Sequence, residues 1–124
     1  MTDLLPISLP TLGLAGCFID GAWHTPGSTL VENPCRREVI AEVGRGGAVE
    51  IDLAVAAARR ALPAWRSLPA SQRGALLSEL GRRLTEHHEE GARLLAAETG
   101  NTIRTQSRGE TSGAASVLSY FGGV

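Results

Sequence analysis

Two cysteines, three histidines and one glycine-rich stretch are the residues of this 124-residue chain whose types could do chemistry. Glu86-His87-His88-Glu89-Glu90 concentrates imidazoles and carboxylates, the donors a zinc or other transition-metal site uses. A helical H-E-x-x-H site needs a second histidine four residues after His88, so that both rings face one ion; that position is Ala92. The run therefore reads as a polar junction between two helices. His24 lies too far along the chain to join it by local spacing.

Gly44-Arg45-Gly46-Gly47 stands between an expected strand and an expected helix, where a dinucleotide fingerprint would lie. The fingerprint's third glycine, which lets helix and strand approach, is Val49 here, so a flexible turn is the better reading. Cys17 and Cys35 are too few for a zinc site or a disulfide scaffold. Cys35 sits beside Arg36 and Arg37, which lower a thiol pKa when close, yet it reads as an incidental turn residue. All twelve basic residues are arginine, which excludes a P-loop lysine, a Schiff-base lysine and an S-x-x-K nucleophile. No G-x-S-x-G occurs. Taken alone, these residues assemble no catalytic site.

The elements that would have to position them are legible. Residues 1–16, with Pro6 and Pro10, read as an irregular N-terminal arm, without the basic start of a signal peptide. Cys17-Phe18-Ile19 and Ala22-Trp23-His24 read as strands about an Asp20-Gly21 turn, a pair suited to positive φ. Thr29–Glu32 and Glu38–Val43 are further strands, the latter with Val39, Ala41 and Val43 on one face, separated by Asn33-Pro34. From Val49 the period changes to about 3.6. Ile51, Val55, Ala58 and Leu62 form a first helical stripe, expected to end at Pro63. A second helix opens at Pro69 and carries Leu76, Leu77, Leu80 and Leu84. A third runs from about Glu89 to Thr99 and stops at Gly100, docking on the second. A fourth, from about Thr102, carries Ala114, Val117, Leu118 and Phe121. Gly74, Gly81, Gly91, Gly109 and Gly113 lie inside these helices, each at a cost of about 1 kcal/mol relative to Ala. The expected class is α+β: a short β-meander, then about four helices.

Composition narrows the partners. A formal net charge of −1 argues against nucleic-acid binding, which needs surplus positive charge. No apolar run approaches membrane-spanning length, and the cytoplasm is the expected compartment.

The order of motifs carries more than any one of them. Phe18-Ile19-Asp20-Gly21-Ala22-Trp23, Val31-Glu32-Asn33-Pro34 and Glu38-Val39-Ile40-Ala41-Glu42-Val43 come first. Asp52 to Arg59, Trp65, Arg73, Glu98-Thr99-Gly100 and Ser119-Tyr120-Phe121-Gly122-Gly123 follow. This series resembles the N-terminal segment of an NAD(P)-dependent aldehyde dehydrogenase, and it covers nearly everything after residue 16. Residues 17–124 would then be the incomplete start of that family's dinucleotide-binding domain.

The resemblance implies oxidation of an aldehyde to a carboxylic acid. In the family a cysteine thiolate attacks the carbonyl, hydride passes to NAD or NADP, and a glutamate activates the hydrolytic water. Those residues and the cofactor-binding glycines lie downstream of the matched segment, so no catalytic or cofactor-binding residue is assigned here. Cys17 and Cys35 match no nucleophile position. The chain alone is expected to bind no NAD(P) and to be inactive. The resemblance further implies a monovalent cation site at the Val31 and Glu32 backbone with Glu98, hard oxygens suiting such an ion. It also implies a substrate entrance beside Gly109 and Gly113, and homo-oligomers. A non-enzymatic module that binds aldehyde dehydrogenase subunits is the alternative. Where the family commonly has Lys, a polar residue and Leu, this chain has Asn101, Ala22 and Gly91; the last is expected to cost core packing.

Overall fold

The computed structural model describes residues 16–124; all but the last residue of the expected arm lies outside them. Four strands come first: β1 (Cys17–Ile19), β2 (Ala22–His24), β3 (Ser28–Asn33) and β4 (Glu38–Gly44). Three helices follow, α1 (Ala48–Ser67), α2 (Ala70–Glu86) and α3 (His88–Thr99), then a π-turn (Ile103–Ser107) that runs into α4 (Arg108–Gly123).

The β-rich third is two antiparallel hairpins, β1–β2 and β3–β4, which do not pair with each other. Asp20 and Gly21 both adopt positive φ, 53° and 80°, as a two-residue turn of right-handed twist demands. Across that turn Phe18 faces Trp23, with ring centroids 5.0 Å apart. In the second hairpin the register slips between Val31 and Glu32, leaving Ile40 as the extra residue on β4. The slip breaks the expected face: Val39 is 57% exposed while Ala41 and Val43 are half-buried.

Pro63 does not end α1. It lies inside the helix, on an exposed stretch where its missing donor leaves a carbonyl to water rather than to a dry interior. The stop comes at Leu68, held extended by the following Pro69. Pro69 itself is the N-cap of α2 rather than its first residue. Arg73 fastens this corner by donating from Nη1 to the Leu68 carbonyl at 2.6 Å.

The largest helix contact is α2 on α4, and its chemistry overturns the expected cost of two helix glycines. Gly74 and Gly81 are the buried residues of α2, whereas Leu76, Leu80 and Leu84 are 53%, 47% and 39% exposed. A Cβ on Gly74 would sit 2.3 Å from the Gly122 carbonyl oxygen; one on Gly81 would sit 2.9 Å from that of Ala115. A Cβ on Gly122 would meet the Gly74 oxygen at 2.8 Å. The two backbones touch, and only hydrogen fits between them. Leu76, Leu80 and Leu84 face outward.

Helix α3 packs on α4 and the π-turn, not on α2 as expected. Ala92 and Ala97 are its buried residues. Gly91 borders α4: a Cβ there would meet Thr111 Cγ2 at 3.4 Å, the only atom of the described residues within 4 Å of it. Gly100 closes α3 at φ 77°.

Alanine substitutions should separate the two kinds of glycine. Gly81→Ala and Gly122→Ala are expected to lose about 1–3 kcal/mol, because overpacking outweighs the gain in helix propensity. Gly109→Ala and Gly113→Ala, with no atom within 4 Å of the added carbon, should gain about 0.4–1 kcal/mol. Urea unfolding of the four variants checks the signs.

Candidate functional site

The polar run between α2 and α3 is occupied by structural bonds. Glu86 pairs with Arg82. His87 Nδ1 meets the Glu90 carboxylate at 3.0 Å, and His88 Nε2 donates to the Arg108 carbonyl at 2.9 Å. Glu89 accepts two bonds from the Arg108 guanidinium, both 2.8 Å, and a third from Arg93 at 3.3 Å. Among the described residues no group of three or more His, Cys, Asp or Glu is placed to hold a metal. The run is a clasp joining the starts of α3 and α4.

The glycine loop is closed in the same sense. Glu50 Oε2 accepts from the Gly47 N–H at 2.8 Å, placing a carboxylate where a nucleotide phosphate would need that donor. A Cβ on Gly46 would meet Cys17 Sγ at 3.1 Å, so this loop is packed against β1. The residues present do not fit a dinucleotide, and Cys17, half-buried beneath the loop, is not an open thiol.

Val31 and Glu32 lie on β3 and Glu98 on α3, and these two elements are in contact. The buried Asn33 side chain accepts from the Cys35 and Arg36 N–H groups at 2.9 and 3.1 Å, and this turn carries β3 onto the end of α3. A Cβ on Gly100 would lie 3.0 Å from Pro34 Cγ and 3.3 Å from Cys35 Sγ, so the turn rests on the α3 terminus. Val31 is half-buried; Glu32 and Glu98 are exposed. The register slip falls at Val31 and Glu32, where regular ladder bonding is disturbed, which suits backbone oxygens offered to a hard cation.

Gly109 and Gly113 lie one turn apart on the exposed side of α4. Beside them, between α2 and α4, runs a groove of about 580 Å³ lined by Thr85, His88, Ser112, Ala115, Ser116 and Ser119. Its hydroxyls donate to carbonyls one turn back on their own helices: Thr85 to Gly81, Ser112 to Arg108, Ser116 to Ser112 and Ser119 to Ala115. Two features escape a reading of sequence. Gln106 and Ser107 both donate to the Thr102 carbonyl at 3.1 Å, which widens the turn before α4. Ser107 is fully buried there, with no hydrogen-bond partner for its hydroxyl among the described residues. The α2–α4 seam had a signal: Gly74 and Gly81 recur at seven, opposite small residues at Ala115, Ser119 and Gly122.

Comparison with known proteins follows the same boundaries. Residues 23–124 match the sequence model of the aldehyde dehydrogenase family. A glutarate-semialdehyde dehydrogenase of Pseudomonas aeruginosa is 39% identical over 108 residues, 85% of this chain and 22% of that protein. The succinate-semialdehyde dehydrogenase [NADP(+)] GabD of Escherichia coli is 38% identical over 107 residues, 84% and 22% of the two. Among solved structures, PnpE in complex with nicotinamide adenine dinucleotide superposes with a TM-score of 0.81 at 40% identity, over 87% of this chain and 23% of that one. A Staphylococcus aureus betaine aldehyde dehydrogenase variant with NAD+ gives 0.87 at 30% identity, over 94% and 24%. The chain thus spans less than a quarter of the length of these relatives.

The clasp should be visible in acid. Hydrogen bonds from Arg108, then Arg93, hold the Glu89 carboxyl down from 4.5 to about 2. A depressed carboxylate pKa adds stability above the unfolded value and loses it as pH falls through the folded one. The Glu89 contribution should therefore be complete above about pH 5 and fade between 4.5 and 2. Glu89→Gln should flatten the stability profile in that window alone, and salt should shrink the difference, because the pair is exposed. Thermal unfolding from pH 2 to 7 at two salt concentrations measures it.

Proposed function

Because this chain belongs to the aldehyde dehydrogenase family, we propose that it serves as the N-terminal quarter of an oxidoreductase that converts an aldehyde to a carboxylic acid with NAD or NADP. The observation that carries this reading is the continuous match over residues 23–124, with the backbone superposing on enzymes four times its length. The semialdehyde substrates in the names of its relatives point to short aldehydes that also bear an acid group.

Within that reading this segment supplies no reacting group. Its part is to fold, to carry sites at its edges and to complete the body that holds the cofactor. Bound NAD(P) would supply the hydride acceptor; the Gly44–Gly47 loop, already filled by Glu50, takes no share in holding it. The Val31 and Glu32 backbone with Glu98 would hold a monovalent cation, supported by the register slip and by the seating of β3 against α3. Gly109 and Gly113 would line the substrate approach, their open surroundings leaving room for a bulky aldehyde. The assembled enzyme would be a homo-oligomer of the cytoplasm; no helix among the described residues is long and apolar enough to cross a membrane. A second reading, a non-enzymatic module that binds aldehyde dehydrogenase subunits, is favoured by the about half-exposed apolar stripe of α1, whose Ile51, Val55 and Leu62 are 62%, 46% and 49% exposed.

A chimaera tests the proposal. Residues 17–124 replace the matched segment of the P. aeruginosa relative, and formation of reduced cofactor is followed with glutarate semialdehyde. The chimaera should keep its activity within about tenfold, about 1.4 kcal/mol in the barrier. Glu98→Gln in it should remove any dependence on potassium or sodium. The 124-residue chain alone should give no turnover with NAD or NADP. A folded but inactive chimaera, or turnover by the chain alone that is lost on mutating Cys17 or Cys35, would refute the assignment.

A further inference from the structure

A serine or threonine hydroxyl inside a helix has one ready acceptor, the carbonyl one α turn back. Helix α4 uses it at four positions: Thr111 donates to Ser107, Ser112 to Arg108, Ser116 to Ser112 and Ser119 to Ala115, at 2.8–3.0 Å. Ser107, the residue immediately before α4, departs from this pattern. Its hydroxyl is fully buried and, among the described residues, has no partner. Native interiors seldom leave such a group unpaired, because burial costs it the bonds it made to water.

The backbone supplies the reason. In the π register a carbonyl meets its N–H five residues on rather than four, so the carbonyl four residues back no longer lies beneath the side chain. For Ser107 that carbonyl belongs to Ile103, and it accepts from the Arg108 N–H instead. The wide register is not complete. The Thr102 carbonyl accepts from both Gln106 and Ser107, each at 3.1 Å. The first is an α bond and the second a π bond, so one oxygen serves both registers at equal length.

From here the α register is one exchange of partners away. The Ser107 N–H passes from the Thr102 carbonyl to that of Ile103, and the Arg108 N–H passes from Ile103 to Arg104. The Ser107 hydroxyl then has the Ile103 carbonyl one α turn back, as the other four have theirs. The body of α4 cannot take up the change, because close backbone contact at Gly74, Gly81 and Gly122 sets it against α2 and Glu89 holds Arg108. The displaced residue is absorbed on the other side, in the link from Gly100 to Thr102. Pro34 and Cys35 rest on Gly100, so this link joins the head of α4 to the β3–β4 turn.

We propose that residues 102–107 are a two-register hinge: the π turn of this structure exchanges with an α turn in which Ser107 Oγ donates to the Ile103 carbonyl. The orphan hydroxyl favours the α register, and the fixed head of α4 favours the π register. Opposed preferences of this kind keep a minor state populated at about 0.1–10%. The hinge belongs to this segment and does not depend on the enzymatic reading above.

Isotope labelling of isoleucine Cδ1 methyls places one reporter in the turn, at Ile103, and another outside it, at Ile19. Relaxation dispersion is read on the 124-residue chain, and on the chimaera so that the result does not depend on the chain folding alone. Exchange on the μs–ms scale should appear at Ile103 and not at Ile19. Ser107→Ala takes away the bond that the α register gains and should cut the minor population about three- to tenfold. Ser112→Ala removes an equivalent hydroxyl within α4 and should leave that population unchanged. Deleting Gln106 shortens the turn by the residue that the π register holds in excess, and exchange at Ile103 should vanish. A flat profile at Ile103 in the unmutated protein overturns the proposal, as does a minor population that neither Ser107→Ala nor the deletion lowers. So does a crystal structure in which an ordered water bonds Ser107 Oγ, since the hydroxyl then needs no second register.

Discussion

Backbone contact between α2 and α4 is the constraint on which the rest of this structure depends. Helices usually keep about 8–10 Å between axes because side chains stand between them. Here Gly74, Gly81 and Gly122 remove the side chains, and carbonyl oxygens of one helix lie against the α-carbons of the other. A contact so close fixes rotation and register at once. With that setting α4 turns Ala115 inward and Gly109 and Gly113 outward, and α2 turns its leucines away. Among the described residues the buried apolar side chains are few, Ile19, Ala92, Ala97 and Ala115: a fold gripped by small residues needs few large ones inside.

The second link runs from α4 back to the strands. Arg108 at the start of α4 grips Glu89 at the start of α3, and its carbonyl receives His88. Helix α3 then ends in the left-handed Gly100, against which the Asn33–Cys35 turn rests. The chain of contacts is thus α2 to α4, α4 to α3, and α3 to β3. The contact of β3 with α3 is owed to this route, since no local spacing connects elements so far apart in sequence. The exposed clasp matters by geometry more than by strength, because two parallel hydrogen bonds from one guanidinium fix an angle that a single charge contact would leave loose.

The same arrangement gives structural bonds or packing to the polar residues that attract attention in the sequence. Catalysis needs a side chain with bonding capacity left over. Glu89 has spent its oxygens on two arginines, Glu50 caps α1, His88 holds a carbonyl, and Cys17 lies under Gly46. Large apolar side chains left open among the described residues include the α1 stripe and Leu76, Leu80 and Leu84 of α2.

Read alone, the sequence determined what short-range physics determines. Asp20-Gly21 announces its turn because both residues tolerate positive φ, Asn33-Pro34 ends a strand, and Gly100 ends a helix; each is local and each holds. The 3.6-residue period likewise placed the helices and their apolar stripes, and the ordered motifs placed the chain in its family. Tertiary structure alone decided which stripe is covered. Periodicity shows that Leu76, Leu80 and Leu84 share a face, but it cannot say whether the partner of that face belongs to these residues or to others. The glycines of α2 show the same limit: propensity counts a missing Cβ as lost helix stability, while the opposing backbone at 2.3 Å makes its absence a requirement. Pro63 differs from expectation for a related reason, being tolerated on an exposed face where water replaces the lost bond. Which surfaces meet is settled by distances between residues far apart in the chain, and no local pattern encodes them.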